Sequence, residues 1–350
     1  MKHNLTYAEL RRRVNAVGLL DRSAWKSLPL ATITLALGIA GIGVVLIAPG
    51  AWYLLAAPLL ALFWMQLGFF GHDSGHNQVF ARTENNRRLG LMVMPLMLGM
   101  TFRPWVVKHN QHHAETNVVE ADPDIDHPLL AFTEEAARSR RGIGRWLVRY
   151  QAYAYPLLAL FATLGFRIDS WRYAMGKNNP LLKNDKFEGE RLVELRLLVA
   201  NAIIWLVVPL LVLGPWRWLP VFVLGQMLLG VNMAFVFAPN HKGMPTFTEE
   251  TRLSFLEQQV LTARNVLGGP LVDFLYGGLN YQIEHHLFPT MPRRNLSACR
   301  TIVKSFCRDA GLSYTEESVV GSFKALFLSL DEIGQIVFTA HATPEGALSQ

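Results

Sequence analysis

Residues 28–71 read LPLATITLALGIAGIGVVLIAPGAWYLLAAPLLALFWMQLGFFG and carry no charged side chain. A helix needs roughly 20 mostly apolar residues to cross the hydrocarbon core of a bilayer. Pro49 and Gly50 interrupt the run near its middle and favour a turn. The stretch therefore predicts two membrane-spanning helices, over 28–49 and 51–71, that form a tight hairpin.

A second hairpin is predicted by the uncharged runs 197–214 and 218–239, which only the short link 215–217 separates. The alternative, buried core helices of a soluble protein, is disfavoured because four uncharged runs of this length are difficult to bury in any other way. The predicted fold class is an all-α membrane protein, with four transmembrane helices in two hairpins and a helical cytoplasmic cap.

The composition and the charge distribution agree with this fold. Hydrophobic residues make up 51% of the 350 and charged residues 17%, against roughly 25% charged residues in ordinary globular domains. Of the 33 Lys and Arg residues, only Arg217 lies in either of the two turns that join paired spans. The positive-inside rule then places both termini and the large middle segment in the cytoplasm. The net charge of +6 reflects this topology and contact with anionic lipid, so no nucleic-acid partner is predicted.

The spans divide the chain into five predicted segments. They are a cytoplasmic N-terminal segment (1–27), the first hairpin (28–71), a first part of the cap (72–194), the second hairpin (195–239) and a second part of the cap (240–350).

Three parts of the cap are also predicted to contact the membrane. The apolar segments 89–102 and 150–166 are too short or too interrupted for ordinary spans, so we interpret both as interfacial or re-entrant. The stretch before the second of them is rich in arginine, at Arg138, Arg140, Arg141, Arg145 and Arg149. It resembles a basic helix lying on the membrane surface, and a solvated loop is the alternative.

Eight of the 11 histidines fall into four places, and three of these places are clusters. The clusters are His72 and His76 in GHDSGH, His109, His112 and His113 in KHNQHH, and His285 and His286 in QIEHH, while His241 stands alone in PNHKG. Three histidines remain that are isolated in the sequence, namely His3, His127 and His341. An isolated histidine is usually a polar residue whose hydrogen bonds are satisfied.

The spacing of the clusters predicts metal ligands. On a helix, residues three or four apart share one face, whereas adjacent residues point about 100° apart. The pairs 112–113 and 285–286 can therefore straddle two ions, and two ions with about four imidazoles each is the natural count. His72 and His241 directly follow spans, so all four places can converge at the cytoplasmic surface. Imidazole suits Zn, Cu, Fe and Ni, and the missing H-E-x-x-H motif disfavours a zinc protease, but spacing alone does not select the metal.

These motifs resemble the three histidine boxes of the membrane fatty acid desaturase family. The flanking residues resemble that family too, with Asn280-Tyr281 before the third box, LFPTMPR (287–293) after it and EADPD (120–124) after the second, so the resemblance covers about 50–315. Gln282, where many desaturases have histidine, resembles the front-end and linoleoyl-CoA-desaturase-like branch.

The resemblance implies a four-span bundle with a cytosolic cap, two iron ions and O₂ as co-substrate. The implied iron ligands are His72, His76, His109, His112, His113, His285 and His286, with His241 completing the set. Further residues are implied to orient these imidazoles by accepting their N–H groups, namely Asp73, Asp122, Asn240 and Glu284. Gln282 is doubtful as a direct ligand and could bond a water or a neighbouring imidazole.

The source of electrons is predicted to be a separate protein. Many front-end desaturases carry a fused cytochrome b5 domain with a His-Pro-Gly-Gly motif, but here His127-Pro128 is followed by two leucines and only 27 residues precede the first span. We expect a ferredoxin or a similar small carrier with its reductase, which the arginine-rich cap could dock if the carrier is acidic.

The predicted function is an O₂-dependent desaturase that introduces a cis double bond into a fatty acyl chain, held as acyl-CoA or in a lipid, in a bacterial inner membrane. A hydroxylase or ketolase acting on fatty acids or carotenoids could use the same metal site. A membrane metal-binding or transport protein is a third class, and transport is disfavoured because the four spans offer few polar groups.

Overall fold

The computed structural model describes residues 6–176 and 188–339. Within these ranges the chain is mostly helical, and the two strands, β1 (Asn265–Leu267) and β2 (Glu316–Ser318), form one short parallel pair in which Asn265 lies opposite Glu316. The predicted all-α class is confirmed.

Four helical stretches of the described residues are long and apolar enough to cross a membrane, as predicted. They are Ala24–Ile47, Gly50–Gly75, Gly189–Leu213 and Pro215–His241. Their α-helices are α2 (Leu28–Ile47), α3 (Ala56–Gly75), α10 (Glu188–Ala202), α11 (Val208–Leu213) and α12 (Pro215–His241).

The other helices form the cap and the segments that line the spans. They are α1 (Tyr7–Ala16), α4 (Thr83–Leu91), α5 (Phe102–Ala114), α6 (Glu134–Ser139), α7 (Gly142–Arg149), α8 (Gln151–Ala159), α9 (Ala162–Ala174), α13 (Phe255–Leu261), α14 (Pro270–Tyr276), α15 (Gln282–Leu287), α16 (Leu296–Ala310) and α17 (Val319–Thr339).

The spans pack closely where a glycine, which has no side chain, faces the neighbouring helix. A Cβ atom at Gly41 of α2 would lie 2.8 Å from the Leu60 side chain of α3, and one at Gly225 of α12 would lie 2.9 Å from the Trp64 ring. Small residues allow helices to approach in this way without a hydrophobic driving force from lipid. As a result α3 is held between α2 and α12, and this contact places the ends of α3 and α12 side by side.

The segment around 89–102 bends sharply. The stretches Thr83–Leu98 and Phe102–Ala114 meet at 111°, which fits a broken span or a re-entrant loop. Gly99, at φ +74°, makes the bend, and a Cβ atom there would lie 2.3 Å from Nη1 of Arg167. The bend directs α5 back toward the end of α3.

The first turn of α5 is capped by other helices. Its N-cap residue, Thr101, makes no side-chain cap of its own. Instead Ser170 of α9 accepts from the Thr101 N–H at 2.8 Å, and the two oxygens of Glu194 accept from the N–H groups of Phe102 at 2.7 Å and Arg103 at 2.9 Å. The first N–H groups of a helix have no partner within it, so this buried carboxylate fixes where α5 begins.

Glu194 lies in α10, which begins at Glu188, before the predicted third span at 197–214. Its carboxylate is completely buried but accepts hydrogen bonds from α5, so a charged residue is tolerated there. The start of the crossing itself stays a prediction.

The segment 150–166 forms α8 and the start of α9, and both pack along α12. The Tyr155 hydroxyl donates to the Ala234 carbonyl at 2.8 Å, and the Thr163 hydroxyl donates to the Gln226 carbonyl at 3.1 Å. In the preceding arginine-rich stretch, α7 exposes Ile143 and Trp146. Exposed apolar side chains on a basic helix fit the predicted surface contact with lipid.

Candidate metal centre

Three helix ends and one short helix carry the eight clustered histidines. His72 lies in the last turn of α3, and His76 is its C-cap. His241 is the last residue of α12. The second cluster (109–113) occupies the last turns of α5, and His285 and His286 lie on α15. The bend before α5 and the packing of α3 against α12 bring these elements together.

The imidazoles form two groups, which we call group 1 and group 2. In group 1 the ligand atoms of four histidines lie within 4.8 Å of one another, and in group 2 those of three do. Group 1 consists of His72, His76, His109 and His285, and group 2 of His112, His241 and His286.

His113 lies between the two groups. Its ring centroid is 4.6 Å from that of His76, 4.7 Å from that of His285 and 4.2 Å from that of His286. The adjacent residues His285 and His286 belong to different groups, whereas His112 belongs to group 2 and its neighbour His113 to neither. The pair 285–286 thus has the arrangement expected if adjacent histidines straddle two ions.

Several imidazole nitrogens in these groups are buried without a hydrogen-bond partner among the described residues. They are Nε2 of His76, Nδ1 of His113, Nδ1 of His285 and Nε2 of His286. A buried polar nitrogen without a partner is costly, and a cation bound by several such lone pairs removes that cost. The residues present therefore fit a pair of metal ions, and imidazole donors suit Fe, Zn, Cu or Ni.

The electrostatics of the site keep these rings neutral. Burial, followed by the neighbouring His72, holds the pKa of His285 well below its ordinary value, and burial followed by His241 does the same for the pKa of His286. Neutral imidazole is the form that binds metal ions, so these two rings are in the metal-binding form at neutral pH.

Asp122 orients His112, as predicted. The His112 Nδ1–H donates to the carboxylate, whose oxygens lie 2.9 and 3.0 Å away. The carboxylate also accepts from the backbone N–H groups of Asn117 and Asp124, each at 2.8 Å. With Nδ1 used in this way, the His112 Nε2 carries the lone pair that points into group 2.

Two residues of α13 and the loop that follows it orient the rest of group 2. The Gln259 side-chain oxygen lies 2.8 Å from His286 Nδ1, and the Thr262 carbonyl lies 3.0 Å from His241 Nδ1. The first arrangement leaves His286 Nε2 without a partner and available to a metal, whereas His241 Nε2 also lies 2.9 Å from the Gln282 amide nitrogen. Neither Gln259 nor Thr262 is predicted from the sequence, because neither lies in a histidine motif and a backbone carbonyl has no sequence signal.

Asp73 lies beside His72, with 3.4 Å between its Oδ1 and the ring Nδ1. Its other oxygen accepts from Nε of Arg293 at 2.9 Å. The predicted link from Asp73 to an imidazole is present in the structure, whereas the contact with Arg293 is not predicted from the sequence.

The remaining predicted residues have other partners. The amide nitrogen of Gln282 lies 2.9 Å from His241 Nε2, and its oxygen accepts from Asn240, so Gln282 contacts a neighbouring imidazole. Among the described residues, neither Asn240 nor Glu284 bonds to an imidazole, which differs from the prediction. Glu284 points away from the adjacent His285 on α15 and accepts from Asn265 and Tyr314. Burial raises the pKa of Glu284 to about 7.

The isolated histidines behave as expected where the structure describes them. His127 lies outside both groups, and its Nδ1 accepts from the N–H groups of Leu129 and Leu130 at 3.2 Å. Burial, followed by the nearby Lys108, lowers the pKa of His127 to about 4. His3 and His341 lie outside the described residues.

Comparison with known proteins agrees with this geometry. A family model described as fatty acid desaturase matches residues 49–318, which include both imidazole groups. The chain belongs to the fatty acid desaturase family. The expectation that its histidine motifs raised is therefore confirmed.

Curated relatives in this family carry desaturase names. The chain is 34% identical to the Delta(6)-fatty-acid desaturase fat-3 of Caenorhabditis elegans, over 75% of this chain and 60% of that one. It is 31% identical to the acyl-lipid (9-3)-desaturase of Physcomitrium patens, over 83% and 55%. It is 30% identical to the Delta(5) fatty acid desaturase fat-4 of Caenorhabditis elegans, over 96% and 75%. The chain thus spans less than two thirds of the length of the first two.

Proposed function

We propose that this protein is a membrane-bound, O₂-dependent fatty acyl desaturase that introduces a cis double bond into an acyl chain held as acyl-CoA or in a lipid. The observation that carries the proposal is the pair of buried imidazole groups at the ends of α3 and α12, with ring nitrogens that lack other partners. Membership of the desaturase family supports desaturation over hydroxylation.

The proposed cofactor is a pair of iron ions. Group 1 would hold one ion and group 2 the other, and His113 lies within reach of both groups. When bound, the two ions supply the activation of O₂ and the removal of two hydrogens from adjacent methylenes.

The chain itself contributes geometry and a dry environment. Asp122, Gln259 and Thr262 fix the group 2 rings through Nδ1, while Asp73 contacts the His72 ring of group 1. Seven of the eight imidazoles are buried, which keeps water away from the reacting carbons.

We further propose that electrons come from a ferredoxin or a similar small carrier with its reductase. The support is that Arg138 and Arg141 are exposed on the cap and offer positive charge to an acidic carrier. Both termini and the metal site would face the cytoplasm by the positive-inside rule, because all lysines and arginines except Arg217 lie outside the two turns that join paired spans. Location in a bacterial inner membrane stays a prediction, since the relatives named above come from Caenorhabditis elegans and Physcomitrium patens.

Expression in a host of defined lipid composition tests the proposal. New fatty acids are analysed by mass spectrometry, and desaturation appears as the loss of two hydrogens. An added oxygen instead would establish the hydroxylase alternative. The His112→Ala variant should remain in the membrane and form no product, whereas the control His127→Ala should retain activity. Product formation by His112→Ala would refute the proposed site.

A further inference from the structure

Arg293 is a buried cation that the proposed chemistry does not use. Its side chain is 11% exposed, and only Nε has a hydrogen-bonding partner, the Asp73 carboxylate at 2.9 Å. Nη1 and Nη2 are both buried and have no partner among the described residues. The guanidinium carbon lies 4.8 Å from the centre of the Phe70 ring.

This pattern of bonding is incomplete. A guanidinium has five N–H donors in one plane, and a ring that contacts its carbon does not replace hydrogen bonds made in that plane. The neighbouring Arg294 shows the usual outcome, because its terminal nitrogens reach the carbonyls of Ser23 and Asp21. Burying charged donors without acceptors is costly, so the Nη1 and Nη2 pair of Arg293 requires an acceptor in the working protein.

The place of this donor pair restricts what it can bind. Phe70 precedes His72 on α3, and Asp73 connects Arg293 to the His72 ring. The donors therefore lie beside group 1, at the cytoplasmic end of a membrane span. A molecule that reaches them from the bilayer has an apolar part that lies along the span.

The charge of the site favours a neutral acceptor. Asp73 already balances the charge of Arg293, so a second anion would be repelled by that carboxylate at close range. A carbonyl oxygen accepts two hydrogen bonds without adding a charge.

We propose that Nη1 and Nη2 of Arg293 bind the carbonyl oxygen at C1 of the acyl substrate. This inference rests on the proposed desaturase function. Because the carbonyl is anchored next to group 1, its distance to the metal site determines which carbons along the chain are desaturated. The same carbonyl is present in a thioester and in a glycerol ester, so the bond does not depend on the acyl carrier.

The binding test compares ligands with and without the carbonyl. The full-length, iron-loaded protein without reductant is titrated with stearoyl-CoA and its S-octadecyl thioether, and with diacyl and dialkyl phosphatidylcholine. In one of the two pairs, the ligand that lacks the carbonyl should bind roughly tenfold or more weakly than its partner. The pair that shows this difference identifies the acyl carrier. Arg293→Gln should abolish that difference, and the control Arg294→Gln should preserve it. No difference in either pair for the natural protein, or an undiminished one in Arg293→Gln, would overturn the inference.

A second readout separates this role from a merely structural one. Arg293→Lys keeps the charge near Asp73 but lacks the paired donors, so it remains informative if the glutamine variant does not fold. Its products should have double bonds at several positions, where the natural protein gives one. An unchanged position together with unchanged carbonyl discrimination would overturn the role of Arg293 and leave desaturation intact. Failure of the natural protein to desaturate would instead overturn the proposed function.

Discussion

Replacing Asp122 with asparagine tests how group 2 is held. The carboxylate accepts from His112 Nδ1 and from the N–H groups of Asn117 and Asp124. An asparagine has the same shape but only one accepting oxygen, so its NH₂ group must face at least one of these donors. If it faces His112, the ring changes tautomer and its Nε2 no longer offers a lone pair.

The magnitude follows from the number of bonds lost. One hydrogen bond to a charged group contributes about 1.5–3 kcal/mol, which corresponds to about ten- to hundredfold weaker metal binding in Asp122→Asn. Competition with a chelator, followed by measurement of iron per polypeptide, gives this ratio. Asp126→Asn is the matched control, because Asp126 is exposed and lies on the same loop. Equal iron affinity in Asp122→Asn and the natural protein would refute the argument that Asp122 orients a metal ligand.

Three further predictions concern stability. Glu194→Gln should destabilise the protein by about 1–2 kcal/mol, because α5 loses part of its N-terminal cap. The thermal unfolding midpoint should fall in this variant and stay unchanged in the exposed control Glu249→Gln. Gly277→Ala should cost about 3 kcal/mol, since Gly277 has φ +60° and the new Cβ would lie 2.3 Å from the Phe69 ring; a midpoint equal to that of the natural protein would contradict this packing. The folded-state pKa of His127, about 4, lies below the ordinary value of 6.5, so its stabilising contribution is complete above pH 6.5 and is lost as the pH falls toward 4. Unfolding measured across that window should depend less on pH in His127→Asn, and an identical pH profile would exclude this contribution.

The membrane part of the fold could be predicted well because it depends on simple composition. Uncharged runs of sufficient length indicate spans wherever they occur. The burial of Glu194 could not be predicted, because only the distant N-terminus of α5 explains it. Sequence patterns report local composition, whereas a cap supplied by another helix is a long-range contact.

The candidate site was predictable to the extent that its residues occur in short motifs. The histidine spacing indicated two groups, and Asp122 was found because it lies just after the second motif. Gln259 comes from a segment without a metal-binding pattern, so no periodicity indicates it. Arg293 ends the stretch that follows the third motif, but an arginine is not a metal ligand, so its contact with Asp73 was not indicated. Glu284 is adjacent to His285 in the sequence, which suggested that it contacts an imidazole. In the structure its side chain accepts from Asn265 and Tyr314 instead.

The distribution of the imidazoles along the chain has a consequence for biosynthesis. Each group combines rings from the first third of the polypeptide with rings from α15, and His72 and His285, whose rings lie 4.7 Å apart, are separated by 213 positions. A nascent chain still on the ribosome, or a product truncated before α15, lacks members of both groups. Stable uptake of metal would then be restricted to molecules whose translation and insertion are finished, and an incomplete chain would expose its early histidines without retaining an ion.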